Sequence, residues 1–217
     1  MTRAAEPPVG RPHVFADRGC PFAHRVLALL DHLGLEHDLT ESPVGLKPAG
    51  LERWSPSGRI PFFVHGPLAI GESRVILEYL AEAYGLESPG PHGLVPRTQR
   101  SHAMTLFDGS IVSRIVGDEA AIDQRRLDEC LDVLASVALA SPPEPSVLAF
   151  HVAPMWLRLQ WWRPDGRVTR SVRDRPELAA WLDAATSLAS VVRTSPSREQ
   201  NTADFRAVVA GRPAGGP

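Results

Sequence analysis

The sequence predicts an α/β unit followed by an all-helical unit. Residues 11–86 alternate between short apolar runs and segments with apolar residues at helical spacing. Residues 97–193 keep helical spacing almost throughout, and a proline- and glycine-rich stretch at residues 86–96 separates the two units. We therefore expect domains at residues 11–86 and 97–193, followed by a flexible, frayed tail at residues 194–217.

The α/β unit begins with a strand and a helix. Pro12–Ala16 is an apolar run typical of a strand, and apolar residues recur at helical spacing over Phe22–Leu33. Pro21 fits the first helical position because its missing N–H would have no partner there. Cys20 therefore lies at the helix N-terminus, where free N–H groups and the helix dipole favour the nucleophilic thiolate. A small buried hydrophobic residue is the alternative interpretation of this cysteine.

The remaining elements of the α/β unit follow from alternation, turn residues and helical spacing. In chain order they are a strand at 35–41, a loop at 42–50, a helical turn near 51–54, hairpin strands at 60–64 and 68–70, and a helix over 75–84. The all-helical unit is predicted as helices at 98–116, 120–139, 146–162 and 176–192, with breaks at 141–145 and in a charged loop before 176.

Composition excludes several classes of function. The chain has 217 residues, 43% of them hydrophobic, and a formal net charge of −2, which favours neither nucleic acid nor an anionic membrane as a partner. No apolar run is long enough to span a membrane, and the N-terminus does not resemble a signal peptide, so we expect a cytoplasmic protein. No set of residues has metal-ligand spacing, and no glycine-rich loop suits a nucleotide phosphate.

Three motifs, in order, resemble the cytosolic glutathione transferase superfamily. They are Cys20-Pro21-Phe22-Ala23-His24-Arg25, Arg59-Ile60-Pro61 and Glu72-Ser73-Arg74-Val75-Ile76-Leu77-Glu78-Tyr79-Leu80. The similarity is greatest to the cysteine-type classes: omega, lambda, the dehydroascorbate reductases and the glutathionyl-hydroquinone reductases. The resemblance implies a thioredoxin-like domain over residues 11–86, a helical second domain, a homodimer, and glutathione as the co-substrate without a metal.

The resemblance also implies how glutathione is bound. A cis peptide bond before Pro61 would turn the backbone N–H and C=O of Ile60 toward the ligand, whereas a trans proline opening an edge strand is the alternative. Ser73 would cap the following helix and help its N–H groups hold the γ-glutamyl carboxylate, with Glu72 near the ammonium group and Lys47 near the glycyl carboxylate. Capping alone, and a solvated loop lysine, are the alternatives. The implied glutathione site comprises Cys20, Pro21, Phe22, Lys47, Ile60, Pro61, Glu72 and Ser73.

The cysteine at position 20 suggests which reaction this member catalyses. Members with Tyr or Ser there activate the glutathione thiol for addition to electrophiles, whereas a cysteine favours attack on a disulfide or a glutathionyl adduct. Because position 23 is Ala, no neighbouring thiol can resolve the mixed disulfide, so a second thiol must do so. The resemblance therefore implies a monothiol transferase or reductase, with a small hydrophobic or electrophilic second substrate.

Other residues are secondary candidates. Those proposed for a second-substrate pocket, with simple core packing as the alternative, are Phe22, Met104, Phe107 and Trp156. We expect His24 to be a surface residue and Cys130 to be in the core. Arg18 and Arg25 either raise the local positive potential or form structural ion pairs.

Two features leave other functions open. Ser146 is followed by Ala149 where the family usually has a capping aspartate, so the second domain is atypical. The basic residues are almost all arginine, with Lys47 the single lysine, which suggests a GC-rich genome. Many GC-rich actinobacteria use a thiol other than glutathione, so the site would serve a different thiol if the host is one of them. The alternatives are therefore a biosynthetic enzyme for thiol-assisted isomerisation, addition or elimination, and a non-catalytic interaction module.

Overall fold

The first part of the chain is an α/β unit in a computed structural model. The model describes residues 10–41, 48–55, 57–86, 94–113, 119–140 and 145–210. The elements of this unit are β1 (His13–Ala16), α1 (Pro21–His32), β2 (Asp38–Glu41), β3 (Phe62–His65), β4 (Leu68–Gly71) and α2 (Ser73–Ala83). A short 3-10 turn at Leu51–Arg53 lies where the sequence predicted one.

The strands form one sheet in the order β2-β1-β3-β4. β1 and β2 are parallel, so their connection must cross over the sheet, and α1 makes this crossover. β1 pairs antiparallel with β3, and β3 and β4 form the predicted hairpin. This is the thioredoxin-like arrangement that the resemblance implied, and it places the N-terminus of α1 beside the C-terminal end of β1.

Helices make up the second part of the described chain. They are α3 (Leu94–Phe107), α4 (Gln124–Ala138), α5 (Val147–Trp162), α6 (Arg167–Arg173), α7 (Pro176–Thr186), α8 (Ala189–Thr194) and α9 (Arg198–Ala210). α3 continues as a π-helical turn over Asp108–Val112. The fold is therefore the thioredoxin-like sheet followed by helices that the sequence predicted.

Several helix boundaries differ from the predictions. α3 begins at Leu94, inside the expected linker, and accommodates Pro96 because the N–H groups of a first helical turn have no partner in the helix. α6 occupies the expected charged loop, and the single helix expected over 176–192 is broken into α7 and α8 near Leu188.

The end of the chain also differs from the prediction. The expected flexible tail contains α9, which contacts the rest of the molecule through a stack of the Phe205 ring on Trp162, with centroids 4.2 Å apart and the planes 1° from parallel. Asn201 on the same helix is only 4% exposed. Phe205 and Asn201 therefore anchor α9 to the rest of the molecule, although the composition of this segment resembles that of a loop.

One continuous apolar core joins the two units. α1 lies at its centre and packs against α5 and α8 on one side and α2 on another. α5 begins at Ser146, whose hydroxyl accepts a hydrogen bond from the Ala149 N–H at 3.1 Å, so the cap forms without the usual aspartate. Within the described ranges, no helix is both long and apolar enough to cross a membrane.

Candidate functional site

Cys20 is at the junction of β1 and α1, as predicted. It is the N-cap residue of α1 in an extended conformation, and its side chain is partly exposed and makes no capping hydrogen bond. Asp17 shapes the turn before it: its carboxylate accepts from the Gly19 N–H at 2.7 Å, and its carbonyl accepts from the Cys20 N–H at 3.0 Å. Pro21 then begins the helix, so the sulfur lies at its N-terminal end.

The electrostatics at Cys20 differ from the expectation. Burial raises the pKa of the Cys20 thiol, outweighing the N–H groups of Ala23 and Phe22, which lower it. The negative charge of Asp17 raises this pKa further, whereas the positive charge of Arg158 lowers it. The helix N-terminus thus acts in the predicted direction, but desolvation, the largest effect, opposes the thiolate.

The motif around Pro61 has the expected backbone. The Ile60-Pro61 peptide bond is cis, as the resemblance implied, and it directly precedes β3. Pro61 is buried and Ile60 partly exposed. Lys47 lies outside the described residues.

The start of α2 differs in one detail from the prediction. Ser73 is the first residue of the helix, not its cap, and the N-cap is Glu72, which is exposed and makes no capping hydrogen bond. Glu72 has φ 62° and ψ 109°, a backbone conformation that residues other than glycine rarely adopt. Ser73 is buried, at 6% exposure.

Arg25 links Ser73 to the helical unit. Its Nη1 donates to the Ser73 hydroxyl at 3.2 Å, its Nη2 to Asp108 Oδ1 at 2.8 Å, and its Nε to the carbonyl of His151 at 2.7 Å. The His151 ring donates from Nε2 to the same Asp108 oxygen at 3.1 Å. Of the two interpretations of Arg25, the structural ion pair is thus the one observed. Arg18 also forms an ion pair, with the Glu41 carboxylate at 2.8 Å.

Burial and the two side chains that donate to Asp108, His151 and Arg25, set the ionisation of this network. Burial would raise the pKa of Asp108, but the hydrogen bond from His151 and the charge of Arg25 lower it to about 2. Burial and the charge of Arg25 lower the pKa of His151 to about 4, so its ring is neutral at neutral pH. The sequence offered no signal for Asp108 or His151, since each stands as an ordinary polar residue in a helical pattern.

A second buried network lies on another side of α1. His24 is fully buried, so the prediction of a surface residue was wrong: α8 and α5 cover it. Its Nε2 donates to the carbonyl of Val191 at 3.0 Å, and its Nδ1 accepts from Arg158 Nη1 at 2.6 Å. Burial and the charge of Arg158 lower the pKa of His24 to about 3, so this ring is also neutral.

The residues proposed for a second-substrate pocket are mostly in the core. Met104, Phe107 and Trp156 are between 0 and 3% exposed, and the Trp156 indole donates to Asp183 at 3.0 Å. The structure therefore favours the core alternative for these three. Phe22 remains partly exposed, with the Arg25 guanidinium 5.0 Å from its ring centroid.

The second cysteine is in the core, as predicted. Cys130 on α4 is fully buried, and burial raises the pKa of its thiol to about 12. Both cysteines are free thiols. In the described part of the chain, no three His, Cys, Asp or Glu side chains are placed to hold a metal ion.

α9 contacts the loop that precedes Cys20. The Asn201 side chain donates to the carbonyl of Gly19 at 2.9 Å and accepts from the Trp162 indole at 3.2 Å. The expected tail is thereby part of the surroundings of the site, which helical spacing alone did not predict.

Comparisons with known proteins agree with this architecture. Residues 14–90 match the family model for the glutathione S-transferase N-terminal domain. Glutathione S-transferase L1 of Arabidopsis thaliana is 21% identical over 211 residues, which are 92% of this chain and 89% of that protein. Glutathione S-transferase omega-1 of Sus scrofa is 38% identical over 79 residues, 36% of this chain and 32% of that protein.

A shorter relative and two solved structures add to this. A probable glutathione transferase of Aplysia californica is 31% identical over 67 residues, covering 31% of this chain and 73% of that protein. A rice glutathione transferase, solved in complex with glutathione, superposes with a TM-score of 0.72 at 21% identity, covering 95% of this chain and 98% of that one. An omega transferase of Trametes versicolor gives a TM-score of 0.68 at 18% identity, covering 94% and 98%.

The thioredoxin-like sheet, the cysteine at the start of α1 and the helical unit are those of a glutathione transferase fold. The chain belongs to the cytosolic glutathione transferase superfamily, and its relatives include members of the omega class.

Proposed function

We propose that the protein is a glutathione-dependent thiol transferase that uses Cys20 as its nucleophile. The observation that carries the proposal is a cysteine at the N-terminus of α1, in this fold, with Ala23 three residues later. The other cysteine, Cys130, is fully buried on α4, so an external thiol must complete the reaction. Glutathione is the proposed thiol, since relatives and structural neighbours are glutathione transferases.

The reaction consists of two thiol–disulfide exchanges. The Cys20 thiolate attacks the glutathione sulfur of a mixed disulfide, a bond forms between the two sulfurs, and the substrate leaves as its thiolate and takes a proton. A glutathione thiolate then attacks the disulfide on Cys20, releasing oxidised glutathione and restoring the Cys20 thiolate. In total one glutathione thiol is oxidised and one substrate sulfur is reduced, while the glutathione sulfur of the adduct stays at the disulfide level throughout.

The start of α2 is proposed to hold the γ-glutamyl end of glutathione. The Ser73 hydroxyl oxygen already accepts from Arg25, which leaves its own proton free to donate to a carboxylate, alongside the free N–H groups of the first helical turn. The strained backbone of Glu72 supports a role in binding, because such strain concentrates at ligand sites. Ile60 and Lys47 remain the proposed partners of the peptide backbone and of the glycyl carboxylate.

Intact-protein mass spectrometry tests the proposal. Wild type and Cys20→Ser are exposed to oxidised glutathione and then to reduced glutathione. We expect one adduct on wild type that reduced glutathione removes, and none on Cys20→Ser, with circular dichroism confirming that the variant is folded. Thiol transfer that is unchanged in Cys20→Ser would contradict the proposal.

The same experiment separates the alternatives. Replacing glutathione with other low-molecular-weight thiols in the second step distinguishes a protein that uses another thiol, and an adduct on Cys130 alone would argue for a binding role. The homodimer stays a prediction from the resemblance, and the cytoplasmic location stays a prediction from the composition.

A further inference from the structure

We propose that Arg158 is the cation that pairs with the Cys20 thiolate, and that the neutral ring of His24 holds it in position. The inference rests on the proposed role of Cys20 as the nucleophile. It makes Arg158 a positioning residue, supplied by α5 of the helical unit, for a sulfur supplied by the α/β unit.

The first argument is the incomplete hydrogen bonding of Arg158. The side chain is fully buried, and its Nη1 donates to His24 Nδ1 at 2.6 Å and to the carbonyl of Pro154 at 3.4 Å. Its Nε and Nη2 have no hydrogen-bond partner among the described residues. A guanidinium has five N–H donors and always carries its charge, and a buried donor without an acceptor is costly. The site is therefore built for an acceptor that the free protein does not supply, and an anion is the best one.

The second argument identifies the anion. Two groups near Arg158 can carry negative charge and act on it electrostatically, Cys20 and Asp17. Within the described ranges Arg158 forms no ion pair with Asp17, whose carboxylate accepts from the Gly19 N–H. His24, which holds the guanidinium, lies on the first turn of α1, and its backbone N–H donates to the Cys20 carbonyl at 3.0 Å. The sulfur of Cys20 is therefore the anion assigned to Arg158.

The other charged groups around Cys20 are committed elsewhere. Arg25, on α1, also acts on Cys20, but Asp108 holds its guanidinium. The charges of Glu41 and Asp204 act on Asp17, and each adds to the negative surroundings of the loop. The Arg158 guanidinium lies 5.4 Å from the centroid of the Trp161 ring, but no carboxylate pairs with it within the described ranges. A Cys20 thiolate, formed when the thiol loses its proton to solvent, therefore has Arg158 as a partner.

The identity of residue 24 makes this possible. Because Arg158 can only donate, Nδ1 of His24 must be the unprotonated nitrogen, and Nε2 carries the proton given to Val191. A neutral acceptor orients the guanidinium without cancelling its charge. A carboxylate at position 24 would instead form an ion pair with Arg158 and remove it from the sulfur.

Alkylation of Cys20 as a function of pH tests the pairing, since it needs neither glutathione nor turnover. Rates with iodoacetamide are measured by peptide mass spectrometry, which reports Cys20 separately from Cys130. We expect Arg158→Leu to move the midpoint of the rate profile up by about one pH unit or more, and Arg158→Lys to restore most of that shift. The matched control is Arg193→Leu, which removes an exposed arginine that contacts α1 through Asp31 and should leave the midpoint in place.

A measurement on wild type covers the case in which Arg158→Leu does not fold. A cation beside the sulfur attracts an anionic reagent, so the ratio of iodoacetate to iodoacetamide rates at Cys20 should exceed the ratio for free glutathione several-fold. A wild-type ratio equal to that of free glutathione, or superimposable pH profiles of wild type and Arg158→Leu, would overturn the pairing.

These outcomes are distinct from those of the proposed function. Loss of thiol transfer in Cys20→Ser together with an unshifted Arg158→Leu profile upholds the transferase and overturns the pairing. A shifted Arg158→Leu profile in a protein that forms no glutathione adduct upholds the pairing and overturns the transferase.

Discussion

Arg25 and Arg158 are both fully buried at the junction of the two units, but they differ in how many of their nitrogens donate hydrogen bonds. Arg25 uses Nε, Nη1 and Nη2, with a carboxylate, a hydroxyl and a carbonyl as acceptors. Arg158 uses Nη1 alone among the described residues, and its acceptors are a neutral ring and a carbonyl. The paired Arg25 holds the two units together, whereas the incompletely paired Arg158 is the one proposed to pair with the Cys20 thiolate.

Adjacent positions on α1 separate the two networks. His24 and Arg25 follow one another, and successive residues on a helix point about 100° apart. His24 therefore meets α8 and the Arg158 side chain of α5, whereas Arg25 meets α2, the π-helical turn after α3 and the backbone carbonyl of His151 on α5. The same turn of α1 thus serves the Cys20 side and the Ser73 side of the proposed site.

The largest expected loss of stability comes from breaking the ion pair between Arg25 and Asp108. Asp108→Ala leaves Arg25 buried without its carboxylate, and we expect the free energy of unfolding to fall by about 3 kcal/mol. Urea denaturation followed by circular dichroism measures this. The matched control is Asp31→Ala, which removes the partner of Arg193 at a solvent-exposed site and should cost about 1 kcal/mol or less. Equal losses in the two variants would contradict the structural role assigned to Arg25.

Acid sensitivity sharpens the comparison because each network contains one neutral histidine. His24 and His151 have folded pKa values of about 3 and about 4, both lowered by burial, while an unfolded histidine titrates near about 6.5. The unfolded chain therefore binds more protons below that pH. Each residue should lower the free energy of unfolding by up to about 1.4 kcal/mol per pH unit as the pH falls from about 6.5 toward its folded pKa.

Denaturation curves measure this slope at several pH values between about 7 and about 4. This interval runs from just above the pKa of an unfolded histidine to the folded pKa of His151. His24→Asn should remove about half of it, whereas His102→Asn, at an exposed position on α3, serves as the control. Asp108 contributes only at lower pH: its folded pKa of about 2 is below the unfolded value, so its stabilisation is present above about pH 4 and is lost as the pH falls through 2. A slope that His24→Asn leaves unchanged would contradict the neutral, buried ring.

The smallest effect concerns the helix that reaches the Cys20 loop. Phe205→Ala removes the ring stacked on Trp162, which is worth about 1 kcal/mol. We expect faster hydrogen exchange over residues 198–210 and faster alkylation of Cys20, with global stability almost unchanged. Val208→Ala, at an exposed position on the same helix, is the control. Faster exchange without any change in Cys20 alkylation would show that α9 does not restrict access to the thiol.

Much of the α/β unit follows from local sequence. The proline after Cys20, the apolar spacing of α1 and the turn between β3 and β4 each specify a local geometry, and the structure has all three. The cis peptide before Pro61 was implied by the resemblance and is present. The helix boundaries of the second unit were predicted less well, because the anchors of α9, Asn201 and Phe205, bind partners far away along the chain.

By itself, the sequence determined the order of elements, the place of Cys20 at the start of α1 and the absence of a second cysteine three residues later, since each depends on neighbouring residues. Only the tertiary structure decided which polar residues are buried together. Arg158 is 134 positions from His24, and Asp108 is 83 positions from Arg25, so no local pattern connects them. Packing of α5 and α8 on α1 also decided the ionisation of His24, and burial in the folded protein decided that of Cys20, because desolvation is the largest influence on both pKa values.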